Sequence, residues 1–339
     1  MISNFAHSRC KAGAGIAFEN ETYQMRGQVK GDESAGASDF QGPDLQTLDS
    51  SGADLTAPFE IFEPDILATP LVFNSPHSGR VYPTRFLASS RLDALTLRRS
   101  EDAFVDELFA RCVDIGAPLM RANFPRAYLD LNREPFELDP LMFEGRLPAF
   151  ANTRSLRVAG GLGTIPRVVG EAQEIYKAPI AVGEAMARIA TLYKPYHQAL
   201  RNLIERAASA FGMAALVDCH SMPSSMAEGG ATDFVVGDRY GASAAPWIVE
   251  TVEIALRRAG YSVRRNKPYA GGFITEHYGA PAASRHVVQI EVNRALYMDE
   301  RAMVKSPRWS QLSADLFAMA SLLASRVAHE IGRPQIAAE

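Results

Sequence analysis

Two histidines follow apolar segments that we expect to form buried strands. His77 lies in the sequence NSPHSG at 74–79, and His220 lies in LVDCHS at 216–221. In an open α/β sheet, ligands bind at the carboxyl ends of the strands, so two imidazoles there can share a metal ion. Catalytic zinc commonly takes three protein ligands and leaves one position for water. The alternative is that each histidine only caps a loop by hydrogen bonding, and sequence position alone leaves both interpretations open.

The third metal ligand is expected to be a carboxylate, and the segment at 100–102 supplies two. Asp102 is the preferred ligand and Glu101 is the second choice, at the start of a predicted helix. The competing explanation is local, because acidic side chains in a first helical turn accept hydrogen bonds from free N–H groups and favour the helix dipole. Asp218, two residues before His220, is either a partner that orients the imidazole or a buried acid at a strand end.

Glu291 lies in the alternating sequence HVVQIEVNR, which predicts a strand with one apolar and one polar face. The polar face meets either solvent or a polar pocket, and solvent is the commoner reason for such a pattern. If a pocket lies there, Glu291 can act as a general base that activates water.

Four arginines are candidates for binding an acidic substrate. Arg126 and Arg133 lie in RAYLDLNR, and Arg285 and Arg294 flank the strand that carries Glu291. A guanidinium group fits a carboxylate with two parallel hydrogen bonds. Surface ion pairs with neighbouring acidic residues explain the same arginines equally well.

The elements that must position these residues alternate between short apolar runs and longer helical patterns. This order predicts an α/β fold with a central mixed, largely parallel sheet flanked by helices. A helix is expected from Ser100 to Val113, and another from 309 to 331. A long helical stretch at 181–211 is interrupted by Pro195. Residues 1–56 lack any helical or strand period and predict a flexible or loosely packed extension, so 57–339 forms a single domain.

Composition excludes several classes of protein. The 339 residues carry a net charge of −4, which argues against a nucleic-acid partner, since such proteins need an excess of clustered basic charge. Three scattered cysteines without a CxxC pair suit a reducing compartment. No apolar run is long enough to span a bilayer, and no secretory signal is visible, so we expect a cytoplasmic protein without a membrane partner. The oligomeric state is not fixed by the sequence.

An ordered set of segments resembles the N-formylglutamate amidohydrolase (N-formylglutamate deformylase) family. The segments are SPHSGRVYP at 75–83, SEDAFVDELF at 100–109, RAYLDLNREPFELDP at 126–140, GLGTIPRVV at 161–169, YKPYH at 193–197, LVDCHS at 216–221, and then GGFITEHYGAP and QIEVNRALYMDE. They span roughly residues 60 to 305, and the N-terminal extension lies outside the resemblance.

The resemblance implies a fold related to zinc carboxypeptidases and aspartoacylase-type deacylases, which bind one zinc ion between histidine, glutamate and histidine. By this likeness His77 is the first histidine ligand and His220 the second. Glu291 corresponds to the general base, and Asn132 with Arg133 to the pair that receives a substrate carboxylate. Arg126 and Arg294 are the next candidates for the substrate's carboxylates.

One position departs from the wider group. There the carboxylate ligand follows the first histidine by three residues, and this chain has Arg80 at that place. Asp102 is the expected substitute, and Arg80 itself is expected to point toward the acidic substrate.

The resemblance implies metal-dependent hydrolysis of N-formyl-L-glutamate to L-glutamate and formate, with zinc as the single divalent ion. A deacylase or peptidase acting on another N-acyl amino acid is the nearest alternative. A non-catalytic binding protein without a working metal site is the alternative from another class.

Overall fold

The computed structural model describes residue 55 and residues 57–170, 172–226 and 232–332. The predicted extension at 1–56 lies outside these residues, apart from Leu55, so its boundary with 57–339 stays a prediction. None of the helices in the described ranges is both long and apolar enough to cross a membrane.

The described chain alternates strands and helices. The strands are β1 (Phe59–Phe62), β2 (Leu71–Ser75), β3 (Leu119–Ala122), β4 (Phe143–Glu144), β5 (Val168–Val169), β6 (Gln173–Glu174), β7 (Ile180–Ala181), β8 (Ala214–Met222), β9 (Phe234–Gly237), β10 (Val263–Arg265), β11 (Arg285–Asn293), β12 (Met298–Asp299) and β13 (Val304–Lys305). The helices are α1 (Thr84–Ser89), α2 (Ala94–Arg98), α3 (Val105–Phe109), α4 (Leu156–Ala159), α5 (Val182–Arg188), α6 (Lys194–Phe211), α7 (Pro246–Arg258), α8 (Phe273–Tyr278) and α9 (Trp309–Ile331).

Seven of these strands form one sheet in the order β1-β3-β2-β8-β11-β9-β10. The pairs β3–β2, β2–β8, β8–β11 and β9–β10 are parallel, whereas β1–β3 and β11–β9 are antiparallel. The prediction of a mixed, largely parallel sheet is therefore confirmed. Because β2, β8 and β11 run in the same direction, their carboxyl ends meet at one edge of the sheet.

Each face of the sheet has its own hydrophobic core. On one face, α3, α7 and α9 pack against apolar side chains of the central strands, including those of Val217 and Ile290. On the other face, α1, α5, α6 and α8 pack against a second set, including Val72 and Leu216. Two covered faces explain why β8 is buried along its whole length, as parallel central strands usually are.

The β11 strand resolves the ambiguity of its alternating pattern. Gln289, Glu291 and Asn293 are each at most 7 % exposed, so the polar face does not meet solvent. In the parallel register with β8, Glu291 lies opposite His220. The polar face of β11 is therefore an internal polar surface beside the candidate histidines.

Two helices differ from the predictions in an informative way. The helix expected from Ser100 begins only at Val105, because Phe104 adopts a left-handed conformation with φ 63°. The prediction that Asp102 lies in a first helical turn is therefore wrong. The interruption predicted at Pro195 takes the form of a π-helical turn at Ile189–Tyr193, and the helix then continues without a gap as α6 from Lys194.

Candidate metal centre

His77 lies just beyond the end of β2 and is 1 % exposed. Its Nε2 atom is 2.8 Å from Oδ1 of Asp130. Since a carboxylate can only accept, Nε2 carries the hydrogen and Nδ1 presents a lone pair. This Nδ1 atom is buried without a hydrogen-bond partner, 3.3 Å from Oδ2 of Asp102. A buried lone pair without a donor is the condition that a bound cation relieves.

His220 lies near the end of β8, and like His77 it has one carboxylate beside each ring nitrogen. Its Nε2 atom is 2.9 Å from Oδ2 of Asp218, and its Nδ1 atom is 3.0 Å from Oδ2 of Asp102. Although burial alone lowers the pKa of His220, the charge of Asp218 and the hydrogen bonds with Asp102 and Asp218 raise it well above the ordinary value. The side-chain amide of Asn132 completes the surroundings, 3.3 Å from Nε2.

Asp102 joins the two imidazoles through one oxygen, Oδ2. Its other oxygen, Oδ1, accepts hydrogen bonds from Ser221 at 3.1 Å and from Arg294 at 3.2 Å. Burial raises the pKa of Asp102, but the hydrogen bond with His220 and the nearby His220 and His77 rings bring it well below the ordinary value. The carboxylate is therefore ionised and held at both oxygens.

These three side chains fit a divalent metal ion. One ligand atom from each of His77, Asp102 and His220 lies within 4.8 Å of the others, and all three residues are buried. Each imidazole has a carboxylate behind its second nitrogen, as metal-binding histidines usually do. Two imidazoles and one carboxylate are also a donor set typical of catalytic zinc.

Glu101 does not reach this group. Its Oε1 atom accepts a hydrogen bond from the Tyr82 hydroxyl at 2.6 Å, and Arg98 lies 3.2 Å from Oε2. Burial raises the pKa of Glu101 above the ordinary value. Of the two candidate carboxylates, only Asp102 is turned toward the histidines.

Glu291 lies beside the group on the neighbouring strand. Its Oε1 atom accepts a hydrogen bond from the Gln289 amide at 2.9 Å. Burial raises the pKa of Glu291 to about 7; the charge of Asp102 adds to this rise, while His220 and Arg126 oppose it. A carboxyl group with a pKa near neutrality can both take up and release a proton at physiological pH.

Arg126 and Arg133 approach the group from the segment that follows β3. Arg126 donates through Nη2 to Asp130 at 2.7 Å, and this is its only hydrogen bond in the part of the chain that is described. Burial lowers the pKa of Arg126, but the charges of Asp130, Asp102 and Glu291 raise it above the ordinary value. The free donors of Arg126 therefore lie in the field of the carboxylates at the centre.

Arg133 is more enclosed than Arg126. It donates through Nε to the carbonyl oxygen of Leu162 and through Nη1 to that of Asn132, both at 2.9 Å. Burial lowers its pKa below the ordinary value. The turn around Leu162, which contains the sequence GGLG, is thus tied to the segment that carries Asn132.

Arg294 and Arg80 have other partners. Arg294 donates to the Ser221 hydroxyl and the Arg99 carbonyl oxygen, both at 3.0 Å, in addition to Asp102. Arg80 donates twice to Glu107 of α3 at 3.1 Å. The structure therefore brings Arg294 to the candidate ligand Asp102 and brings Arg80 to Glu107 of α3.

Three contributors escaped the sequence analysis. Asp130 is one of the acidic neighbours of Arg126 and Arg133, and the sequence indicates only an ion pair with them. Gly272 packs so closely on Asn132 that an added Cβ would lie 2.4 Å from that side chain. Tyr269 is half-buried, and burial together with the charge of Glu291 raises its pKa. Only the glycine pair at 271–272 marks this region in the sequence, and it does not indicate a contact with residue 132.

A buried imidazole–carboxylate–imidazole group beside a buried glutamate, at the carboxyl edge of a mixed sheet, is characteristic of a hydrolase built on an α/β sheet. Comparison with known proteins identifies the family. The N-formylglutamate amidohydrolase family profile matches residues 69–298, and the chain belongs to this family. The resemblance predicted from the sequence segments is thereby confirmed.

Relatives and a solved structure agree with this assignment. The N-formylglutamate deformylase of Pseudomonas putida is 32 % identical over 240 residues, which cover 68 % of this chain and 82 % of the relative. That of Pseudomonas aeruginosa is 30 % identical and covers 69 % and 84 %. The crystal structure of N-formylglutamate amidohydrolase from Ralstonia eutropha JMP134 superposes with a TM-score of 0.77 at 36 % identity, covering 81 % of this chain and 99 % of that one.

Proposed function

We propose that this protein hydrolyses N-formyl-L-glutamate to L-glutamate and formate, with one zinc ion held by His77, Asp102 and His220. The observation that carries the proposal is the convergence of two imidazole Nδ1 atoms and one carboxylate oxygen beside Glu291. Membership of the family and the names of the relatives supply the substrate.

The donor set favours zinc over the harder cations, since calcium and magnesium prefer ligands that are all oxygen. When bound, such an ion polarises the amide carbonyl and lowers the pKa of water. The protein's own part is to hold the three ligands rigidly. Asp130 and Asp218 do this for the imidazoles, and Arg294 does it for Asp102.

Glu291 is the proposed general base. It takes a proton from the attacking water, whose oxygen forms a bond with the formyl carbon. It then delivers that proton to the leaving nitrogen as the carbon–nitrogen bond breaks. Burial raises the pKa of this carboxyl group above its ordinary value, which strengthens it as a base for the first step.

The substrate's charges require cationic partners. Asn132 and Arg133 are proposed for one carboxylate, as the family resemblance implies. Arg126 is proposed for the second carboxylate or for the oxyanion that develops at the formyl group, because it has free donors beside Glu291. Their existing contacts favour a supporting role for Arg294 and Arg80, whose predicted substrate contacts remain untested.

Formate release tests the function directly. Purified protein loaded with zinc is expected to release formate from N-formyl-L-glutamate, and removal of the metal by a chelator is expected to abolish turnover until zinc is restored. Full activity of the metal-stripped protein would refute the zinc mechanism. N-acetyl and N-succinyl glutamate, tested in parallel, distinguish a deformylase from a broader deacylase.

The absence of both turnover and metal would favour a binding protein instead, and elemental analysis measures the second. The cytoplasmic location and the absence of nucleic-acid and membrane partners stay predictions from the sequence.

A further inference from the structure

The segment at 130–133 carries three side chains of the proposed site but belongs to no helix or strand. Asp130 faces His77, and Asn132 faces His220. A buried segment without its own ladder of backbone hydrogen bonds must have its carbonyl groups satisfied from elsewhere. Those outside contacts determine where its side chains point.

Two side chains near the start of α6 supply such contacts. The Tyr193 hydroxyl donates to the carbonyl oxygen of Arg133 at 2.7 Å, and His197 lies with Nε2 3.0 Å from the carbonyl oxygen of Leu131. One carbonyl group precedes Asn132 and the other follows it by one residue. The pair of residues proposed to bind a substrate carboxylate is therefore held at both ends.

The protonation of His197 suits this role. A carbonyl oxygen can only accept, so Nε2 carries the hydrogen, and Nδ1 lies 2.9 Å from the Tyr278 hydroxyl. Burial lowers the pKa of His197 to about 3, which keeps the ring neutral at physiological pH. Burial also raises the pKa of Tyr193, which keeps its hydroxyl a donor.

Local geometry brings the two donors together. Tyr193 ends the π-helical turn and His197 follows it by four residues, so both side chains lie on one side of the helix. Their ring centroids are 4.2 Å apart, and the residues are 4 % and 6 % exposed. π-Helical turns often occur at functional sites, and this one lies beside the substrate segment.

We propose that Tyr193 and His197 are positioning residues that clamp the Leu131–Arg133 backbone and so aim Asn132 and Arg133 at a substrate carboxylate. This inference rests on the proposed function, because it assumes that the pair binds substrate. The clamp itself is a contact between α6 and the segment, and it can be measured without turnover.

Tyr193→Phe removes only the hydroxyl, since the ring keeps its contacts with His197 and Phe273. If Asn132 and Arg133 bind the carboxylate equally well in the ground state and the transition state, KM rises while kcat stays nearly constant. This hydrogen bond is present with and without substrate, so only the part of it that orders Asn132 and Arg133 for binding enters KM, and we expect a rise of about twofold to tenfold. A change in kcat alone would contradict a role in carboxylate binding.

Tyr261→Phe is the matched control. It removes the hydrogen bond from Tyr261 to Asp315 at 2.7 Å, where the partly buried Tyr261 packs against the core on the other face of the sheet. We expect this variant to lose stability without a change in KM. His197→Gln and His197→Leu form a second pair, because glutamine keeps an N–H for the Leu131 carbonyl oxygen and leucine does not. KM is expected to stay closer to the wild-type value with glutamine.

Amide hydrogen exchange of the segment at 126–136 completes the test in zinc-loaded protein. Tyr193→Phe is expected to exchange faster there than wild type, and Tyr261→Phe is not. Unchanged exchange would overturn the clamp whatever the activity. Faster exchange with an unchanged KM in an active enzyme would overturn the positioning role. Wild type that releases no formate would instead refute the proposed function, while exchange still decides whether the clamp exists.

Discussion

Replacing Asp218 with asparagine tests whether the carboxylate behind His220 supports metal binding. Asp218 is fully buried, with Oδ2 2.9 Å from Nε2 of His220 and Oδ1 accepting from the Asn74 amide at 2.7 Å. The His220 imidazole and the Asn74 amide both donate hydrogen bonds to Asp218, and an asparagine at this position would have only one acceptor oxygen. Asp218→Asn therefore cannot satisfy both, and it also removes the negative charge that makes the imidazole a stronger ligand.

The expected loss of zinc affinity follows from the hydrogen bond between Asp218 and His220. A hydrogen bond to a charged group contributes about 1.5–3 kcal/mol. If that contribution is lost from the metal-bound state, the Kd for zinc rises about 10-fold to 100-fold. Competition with a chelator of known affinity, at one fixed neutral pH, measures this Kd directly.

A matched control separates metal affinity from general damage. Asp315→Asn makes the same chemical change at a carboxylate of α9 that accepts from Tyr261, away from the metal group. Its Kd for zinc is expected to equal that of wild type. If folded Asp218→Asn binds zinc within about twofold of wild type, the reasoning that joins this carboxylate to the metal ligand is wrong.

Three further predictions concern catalysis and stability. Glu291→Gln is expected to lower kcat by about 10²-fold to 10⁴-fold with unchanged zinc content, and turnover near the wild-type rate would remove its role as base. Gly272→Ala places a Cβ 2.4 Å from the Asn132 side chain, whereas Gly183 has nothing within 4 Å of an added Cβ. We expect kcat/KM to fall about tenfold or more in Gly272→Ala and to stay constant in Gly183→Ala, and equal values would contradict the contact. His197 has a pKa lowered to about 3 in the folded state, so the unfolded chain binds a proton first as pH falls below about 6.5. Stability should therefore be lost between about pH 6.5 and 3, by up to roughly 5 kcal/mol. In urea unfolding, the free energy of unfolding should fall less steeply with decreasing pH in His197→Gln than in wild type. Parallel pH curves for the two proteins would contradict this prediction.

The sequence was sufficient to predict that His77 and His220 could meet. Both follow or end strands that read as buried apolar runs, and parallel strands end at the same edge of a sheet. The α9 helix was predicted with the bounds that the structure gives, because a long amphipathic pattern depends only on its own residues. Patterns of this kind depend only on nearby residues, so they predict structure without information on the rest of the fold.

Contacts between distant segments could not be predicted in the same way. Asp130 lies 53 residues from His77, and Arg294 lies 192 residues from Asp102. Each of these side chains has plausible partners nearby in the sequence, and only the packed fold decides among them. The start of α3 was misplaced for a related reason, because nothing local indicates that Phe104 adopts a left-handed conformation.

The alternation along β11 could not predict whether its polar face meets solvent or a polar cavity. A strand that faces solvent and a strand that faces a polar cavity both place polar residues at every second position. What distinguishes them is a cover supplied from elsewhere in the chain. Here part of the cover comes from the residues just before α8, where the backbone N–H of Gly272 donates to the side chain of Gln289 at 2.9 Å.

The pairing of β8 with β11 fixes the position of the proposed base, Glu291, relative to the proposed ligand, His220. His220 and Glu291 are opposite residues in one parallel register. A shift of β11 by one residue would turn Glu291 into the hydrophobic core and bring Ile290 or Val292 to face the metal group, because side chains alternate between the two faces. Misregistered chains would therefore have no base at all, rather than a weakened one. In a partly misfolded sample, specific activity would count the correctly paired molecules, while each active molecule would keep the same KM.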